Sequence, residues 1–162
     1  SYLKNYTIYT DNDRTFRFLR DKVLGSVRYH SVMEKMIRKS SMNLNRIHKL
    51  LWMEEPEIRK LHEENHIIGL HSHTHPTEIG KLCREEQLRE YVHNYRWIQK
   101  ITGAAPVSMS HPCTSYNADT LSILSNMNIK LGFIAYMRND IRSPYEIPRE
   151  DHAHLLAQVK KI

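Results

Sequence analysis

The feature that most constrains the fold is the stretch HIIGLHSHTH at residues 66–75. A short, partly β-branched apolar run breaks there into three histidines, His71, His73 and His75. Such a run is typical of a buried strand that ends in a loop, and loops at strand ends are where folds often present their chemistry. Neutral imidazole is the commonest metal-ligating side chain, so three imidazoles within five residues favour binding of zinc or a similar divalent ion.

The residues alone leave the ligand pair open. If the strand continues, His71 and His73 share one face of it. If the strand breaks into a turn, His71 and His75 can meet one ion, because four residues span about one helical turn. An exposed histidine-rich turn is the alternative without a metal, since the chain contains 11 histidines in 162 residues.

Length and composition exclude several classes of protein. A chain of 162 residues is long enough for one domain with its own core. The formal net charge of +6 favours anionic partners in general, but the cations are scattered and no nucleic-acid-binding motif occurs, so we expect no nucleic-acid partner. The two cysteines, Cys83 and Cys113, lie far apart, which argues against a disulfide scaffold and is compatible with a reducing compartment. The chain has no 18-residue apolar run and no signal peptide, so we expect no membrane segment and a cytoplasmic location. The sequence pattern does not indicate which oligomeric state the protein adopts.

Hydrophobic periodicity predicts alternating strands and helices. The predicted strands are Tyr6–Thr10, a run ending at Leu70, Pro106–Met109 and Ile129–Tyr136, with Asp11–Asp13 as a turn after the first. The predicted helices cover residues 16–24, 28–39, 47–51, 55–61, 84–101 and 118–127. Gly103 is the predicted C-terminal cap of helix 84–101, and Asn117 is the predicted N-terminal cap of helix 118–127. The predicted buried side of helix 84–101 consists of Leu88, Tyr91, Val92, Tyr95, Ile98 and Ile101. This order predicts βα units with a parallel sheet, at whose carboxyl edge polar groups gather. We therefore expect the histidine cluster, His111 and the segment 149–154 to meet there.

The sequence ENHIIGLHSHTHP at residues 64–76 resembles the second motif of polysaccharide deacetylases, the NodB-homology domain of carbohydrate esterase family four. That motif is His-Ser/Thr-x-x-His after a short strand. The resemblance continues through both flanking helices and through the strand, loop and helix at residues 107–124, which makes 54–135 the best-matching core. Residues 1–53 form a divergent helical segment of the same domain, 1–162. The resemblance implies an α/β fold, a distorted or partial (β/α) barrel, here expected to lack its N-terminal strand.

By this resemblance, the two motif histidines His71 and His75 hold a divalent metal, with zinc the expected ion. The substrate would be an N-acetylated sugar or polysaccharide, whose acetamide is hydrolysed with the help of the metal. Ser72 would support a ligand or the loop, and His73 would be a bystander or a residue of the pocket. In the family's third motif Pro112 matches, and Arg149 resembles an arginine near the end of some members that would position substrate.

The chain also departs from the family pattern. The aspartate pair that supplies the family's base and third ligand is absent, which leaves Asp11 or Asp13 as the candidate ligand or places the pair upstream of the first residue. The family's last histidine motif is also absent. His111, Asp151 and His154 are therefore the candidates for a catalytic acid or base.

Two other interpretations remain open from the sequence. The segment Leu70–Thr74, with its His-x-His, also resembles the opening motif of PHP-type metal phosphoesterases. Alternatively, the missing aspartate pair is what a non-catalytic domain with the deacetylase fold would show.

Overall fold

The computed structural model describes residues 2–4, 9–150, 155–156 and 159. It divides into two units, Ser1–Trp52 and Met53–Ile162. The first contains only helices among its described residues, and the second contains the parallel sheet. None of the helices in the described residues is long and apolar enough to cross a membrane.

The first unit is built from α1 (Asp11–Phe18), a π-helical segment (Leu19–Leu24), α2 (Gly25–Lys39) and α3 (Leu44–Leu51). These elements confirm the predicted helices, although α2 begins at Gly25 rather than at residue 28. None of the described residues from 2 to 52 is buried, so capping and helical propensity rather than a core account for these elements.

The predicted turn at Asp11–Asp13 is wrong, because these residues form the first turn of α1. The Thr10 hydroxyl accepts a hydrogen bond from the Asp13 amide at 3.2 Å. The Asp13 carboxylate in turn accepts one from the Thr10 amide at 3.0 Å, which completes a capping box. Aspartate is favoured both in loop turns and in the first turn of a helix, so the residue type alone could not distinguish a turn from the start of a helix. The predicted strand Tyr6–Thr10 lies mostly outside the described residues, and Thr10 is the N-cap.

The second unit is organised around a parallel sheet of β1 (Ser108–Ser110), β2 (Leu131–Ile134) and β3 (Ile147–Pro148). Leu70 adds a single parallel bridge to Met109, on the other side of β1 from β2. The strands therefore pair in chain order, as they do in a (β/α) barrel, whereas the order of a doubly wound sheet reverses at a switch point. The predicted parallel sheet is confirmed, and the architecture is that of a partial barrel.

The strands are shorter than predicted. Of the apolar run before the histidines, only Leu70 pairs with the sheet, and Ile67 is 74% exposed. The predicted strand 129–136 is paired only over residues 131–134. It ends there because the Ala135 amide donates to the Thr114 hydroxyl instead of to a neighbouring strand.

Among its described residues, the second unit contains the α-helices α4 (Glu55–Glu63), α5 (Arg84–Thr102) and α6 (Ala118–Asn126). The predicted caps are confirmed, since Gly103 is left-handed after α5 and the Asn117 side chain accepts from the Thr120 amide. The core cluster consists of Leu70, Ile79, Tyr91, Ile98, Met109, Ile123, Leu124 and Ile129.

The predicted buried side of α5 is wrong at Leu88, which is 41% exposed, while Gln87 is fully buried. The Gln87 side chain is tolerated in the core because its amide donates to the Leu82 carbonyl and its oxygen accepts from the Thr120 hydroxyl. Hydrophobic spacing could not show this pairing.

Candidate functional site

The histidine loop begins directly after Leu70, at the carboxyl edge of the sheet. Ser72 and His75 have φ angles of 61° and 56°, in the left-handed region, so the chain turns back on itself. This turn brings the His71 and His75 rings to a centroid distance of 4.8 Å. The structure therefore shows a turn that pairs His71 with His75, not a continued strand that would pair His71 with His73.

The His71 ring is held in one orientation and one tautomer. Its Nδ1 lies 2.7 Å from the Ser110 carbonyl oxygen at the end of β1. A carbonyl can only accept a hydrogen bond, so Nδ1 carries a proton, and in the neutral imidazole this leaves the lone pair on Nε2. A bond from the second ring nitrogen to a carbonyl is the usual arrangement of a metal-ligating histidine.

Ser72 fixes the turn between the two histidines. Its side chain is 7% exposed, and its hydroxyl accepts a hydrogen bond from the His75 amide at 3.1 Å. The hydroxyl thus stabilises the left-handed backbone that brings His75 next to His71. This contact accounts for a serine directly after the first histidine of the motif.

Helix α5 holds the loop from outside through two side chains that the sequence analysis missed. The Glu90 carboxylate accepts from the His73 amide at 2.9 Å and from the Thr74 amide and hydroxyl, each at 2.7 Å. One turn further along α5, the Asn94 side chain accepts from the His71 amide at 2.9 Å. A signal was present, because Glu90 and Asn94 are four residues apart and so share one face of a helix that the sequence did predict.

His73 points away from the paired imidazoles. Its ring stacks on His93 of α5 with a centroid distance of 3.8 Å and an interplanar angle of 8°. The structure therefore separates the three histidines of the cluster into a pair and a third member that belongs to the surface of α5.

His111 follows β1 but is almost fully buried, at 2% exposure. Its Nε2 donates to the Tyr145 carbonyl at 2.8 Å, and Nδ1 has no partner among the described residues. Burial lowers the pKa of His111 in spite of the nearby Glu146 carboxylate, which raises it. A neutral His111 therefore ties the loop after β1 to the segment before β3. The matching Pro112 is buried beside it.

A buried carboxylate completes this edge. Glu146 is 5% exposed and accepts hydrogen bonds from Tyr116 at 2.7 Å, Arg138 at 3.0 Å and Ser143 at 2.7 Å. Burial raises the pKa of Glu146, but the three hydrogen bonds lower it by more, so the carboxyl stays ionised. The Tyr116 ring also stacks on His111 at 4.5 Å, which connects this network to the histidine. No sequence motif pointed to Arg138 or Glu146.

Arg149 lies beside the histidine pair through a shared neighbour. Its guanidinium donates to the Ser110 hydroxyl at 3.0 Å, while the carbonyl of the same residue orients His71. The other candidates of the tail, Asp151 and His154, lie outside the described residues.

The described residues fit a metal ion in part. His71 and His75 offer two adjacent imidazoles, but no group of three His, Cys, Asp or Glu side chains within the described ranges could hold an ion. Asp11 and Asp13 belong to α1 of the first unit, where Asp11 pairs with Arg14 at 2.9 Å and Asp13 caps the helix. Their assignment as third ligand stays a prediction.

Comparison with known proteins supports the interpretation of the motif. The sequence model described as polysaccharide deacetylase matches residues 31–132, more than half of the chain. The chain belongs to the polysaccharide deacetylase family. This decides against the PHP-type phosphoesterase interpretation of the His-x-His segment. No curated protein sequence matches the chain.

Two solved structures show the same deacetylase fold. The Streptococcus pyogenes deacetylase PplD, in complex with acetate, has 19% sequence identity and a TM-score of 0.54, over 60% of this chain and 44% of that one. The deacetylase domain of BpsB from Bordetella bronchiseptica has 14% identity and a TM-score of 0.53, over 61% of this chain and 48% of the domain. The chain aligns with less than half of either structure, so these likenesses support the deacetylase fold alone.

Proposed function

We propose that this chain forms part of a metal-dependent deacetylase that hydrolyses the acetamide of an N-acetylated carbohydrate. The observation that carries the proposal is the imidazole pair, in which the Ser110 carbonyl holds His71 so that Nε2 is available as a ligand. Family membership supports the reaction class, and the carbohydrate and the metal are the further steps that we propose.

His71 and His75 would supply two ligands to a divalent ion, with zinc the expected metal because imidazole suits it. Held by these two imidazoles, the ion would supply polarisation of the acetamide carbonyl and a bound water of lowered pKa. Ser72, Glu90 and Asn94 keep the two imidazoles together before any ligand binds, since their hydrogen bonds are made within the protein itself. The third ligand would be Asp11, Asp13 or an aspartate outside the described residues, and the base would also come from outside them.

Arg149 is the residue best placed to contact the sugar. Its guanidinium is exposed, and its bond to the Ser110 hydroxyl holds it at the edge where His71 lies. A guanidinium there can donate to a hydroxyl or carbonyl oxygen of a bound sugar. His111 is excluded from direct contact with solvent by its burial, so we assign it to positioning of the loop after β1.

Metal analysis of purified protein tests the ligand assignment. We expect the zinc content of the parent to be reduced in His71→Ala and in His75→Ala, and to be retained in His73→Ala, which is a matched control from the same loop. A parent without metal, or equal metal in all four proteins, contradicts the assignment.

Release of acetate from hexa-N-acetylchitohexaose, called chitohexaose below, tests the reaction. A non-catalytic domain with the deacetylase fold is the second candidate, because the described residues contain no three-residue metal group. Metal-loaded protein that binds chitohexaose but releases no acetate would favour that candidate.

A further inference from the structure

One exposed face of α5 combines positive charge with an aromatic ring. Its residues recur at intervals of three and four, so they share one side of the helix. They are Arg89, Val92, His93, Arg96, Trp97 and Lys100, and together they form a surface that is open to solvent.

Positive charge predominates on this α5 face. Arg89, Arg96 and Lys100 contribute three cations, and the residues of the face include no carboxylate, although Glu85, one turn before Arg89, interacts with the Arg89 guanidinium. The Lys100 ammonium lies 3.7 Å from the Glu55 carboxylate of α4, but both side chains are largely exposed, so water screens this pair. The nearby Glu90 carboxylate is directed to the histidine loop instead.

Trp97 adds an apolar contact surface among these cations, with 39% of the residue exposed. Tryptophan and arginine are enriched in binding surfaces, because a rigid ring buries a large area and a guanidinium binds a carboxylate with two parallel hydrogen bonds. A sugar ring presents C–H groups to such an indole and, when it is a uronic acid, a carboxylate to the neighbouring arginines. The face thus matches a carbohydrate with negative charge better than a neutral one.

The α5 face is continuous with the candidate active site. His93 belongs to the face and stacks on His73 of the histidine loop. The next residue of α5, Asn94, reaches the imidazole pair directly, since its side chain accepts from the His71 amide at 2.9 Å. A chain of sugars bound at the imidazole pair could therefore extend along α5 without leaving the protein surface.

We propose that the α5 face is an extended subsite for an anionic glycan, in which uronic acid units contact Arg89, Arg96 and Trp97 while an N-acetylated unit reaches His71 and His75. The proposal rests on the proposed deacetylase function and adds a substrate class to it. The charge of the glycan, rather than its acetamide, is what this subsite recognises.

The test compares two hexasaccharides that share N-acetylglucosamine, namely a hyaluronan hexasaccharide with three carboxylates and neutral chitohexaose. We expect the full chain to bind the hyaluronan hexasaccharide at least tenfold more tightly at low salt, and the difference to shrink at high ionic strength. In the double variant Arg89→Gln with Arg96→Gln, the ratio of the two Kd values should fall to about one. Arg59→Gln, which changes an exposed arginine on α4, should leave the ratio as in the parent.

Equal affinity for the two hexasaccharides in the parent, or an unchanged ratio in the double variant, overturns the proposal. Tighter binding of a ten-residue thymidine oligonucleotide than of the hyaluronan hexasaccharide overturns it as well, since the face would then serve a nucleic acid. The measurement is binding, so it is independent of acetate release. A chain that releases no acetate from any glycan but discriminates between the hexasaccharides would refute the deacetylase proposal and leave the anionic subsite intact.

Discussion

Removal of the Glu90 carboxylate from α5 is expected to weaken metal binding by the histidine loop, with which this carboxylate makes hydrogen bonds. The carboxylate accepts three hydrogen bonds from His73 and Thr74 at 2.7–2.9 Å. A bond to a charged group contributes about 1.5–3 kcal/mol when it is well buried. Glu90 is only partly buried, so water replaces much of each bond, and we take about 2 kcal/mol for the three together.

These hydrogen bonds hold His71 and His75 next to each other before a metal binds. Without them, part of the free energy of metal binding must be used to order the loop. Since 1.4 kcal/mol corresponds to a factor of ten, about 2 kcal/mol raises the Kd for zinc about 30-fold in Glu90→Ala. Glu90→Gln keeps an oxygen for the two amides and an NH₂ group for the Thr74 hydroxyl. It therefore loses mainly the charge, and we expect an increase of about threefold to fivefold, equivalent to about 0.7–1 kcal/mol.

The assay is a zinc titration against a competing colorimetric chelator, with circular dichroism to show that each variant is folded. Glu63→Ala is the matched control, because it removes an exposed glutamate from α4. A Kd for Glu90→Ala within twofold of the parent would refute the reasoning. It would mean that the left-handed turn of the loop is maintained without α5.

Four further predictions concern stability measured by urea or thermal unfolding. Arg138→Met leaves the Glu146 carboxylate without its ionic partner and should destabilise the fold by about 3 kcal/mol. The pKa of Glu146 is lower in the folded protein than in the unfolded chain. The ionised carboxylate therefore stabilises the fold above the unfolded pKa of about 4.3, and this stabilisation is lost as the pH falls through the folded pKa. In Glu146→Gln this carboxylate is absent, so the free energy of unfolding should decrease less steeply in acid. The buried Tyr91 hydroxyl has no partner among the described residues, so Tyr91→Phe should stabilise by about 1 kcal/mol, and equal or lower stability would indicate that water satisfies it. In Gly132→Ala the new Cβ would lie 2.6 Å from the Tyr145 carbonyl oxygen, and we expect a loss of about 1–3 kcal/mol; no loss would mean that β3 can move away.

The elements that the sequence predicted well are those whose pattern is local. Helix α5 and its cap at Gly103 follow from hydrophobic spacing and from one glycine, and the capping residue Asn117 follows from its type. Strand lengths were predicted less well, because the end of β2 is decided by the Thr114 hydroxyl on another segment. Periodicity contains no information about such a partner.

The candidate site shows the same division. The pairing of His71 with His75 was one of two arrangements that the spacing allowed, and the family resemblance favoured it. Glu90 and Asn94 were overlooked because polar residues on a helix usually face solvent. Glu146 was overlooked because no helical or strand spacing relates it to its partners Tyr116, 30 residues away, and Arg138, eight residues away, so burial of a charge there depends on the tertiary fold.

The bond between the His71 ring and the Ser110 carbonyl has a consequence for sequence variation at position 110. The acceptor is a backbone atom, so most side chains at this position would leave the orientation of His71 unchanged. Proline is the exception, because the Ser110 amide donates to the Leu70 carbonyl at 2.9 Å and proline has no amide hydrogen. A saturation library at position 110 should therefore retain zinc binding broadly and lose it with proline. The orientation of the His71 ring is set by the strand register rather than by any one side chain, so single substitutions have few ways to disturb it.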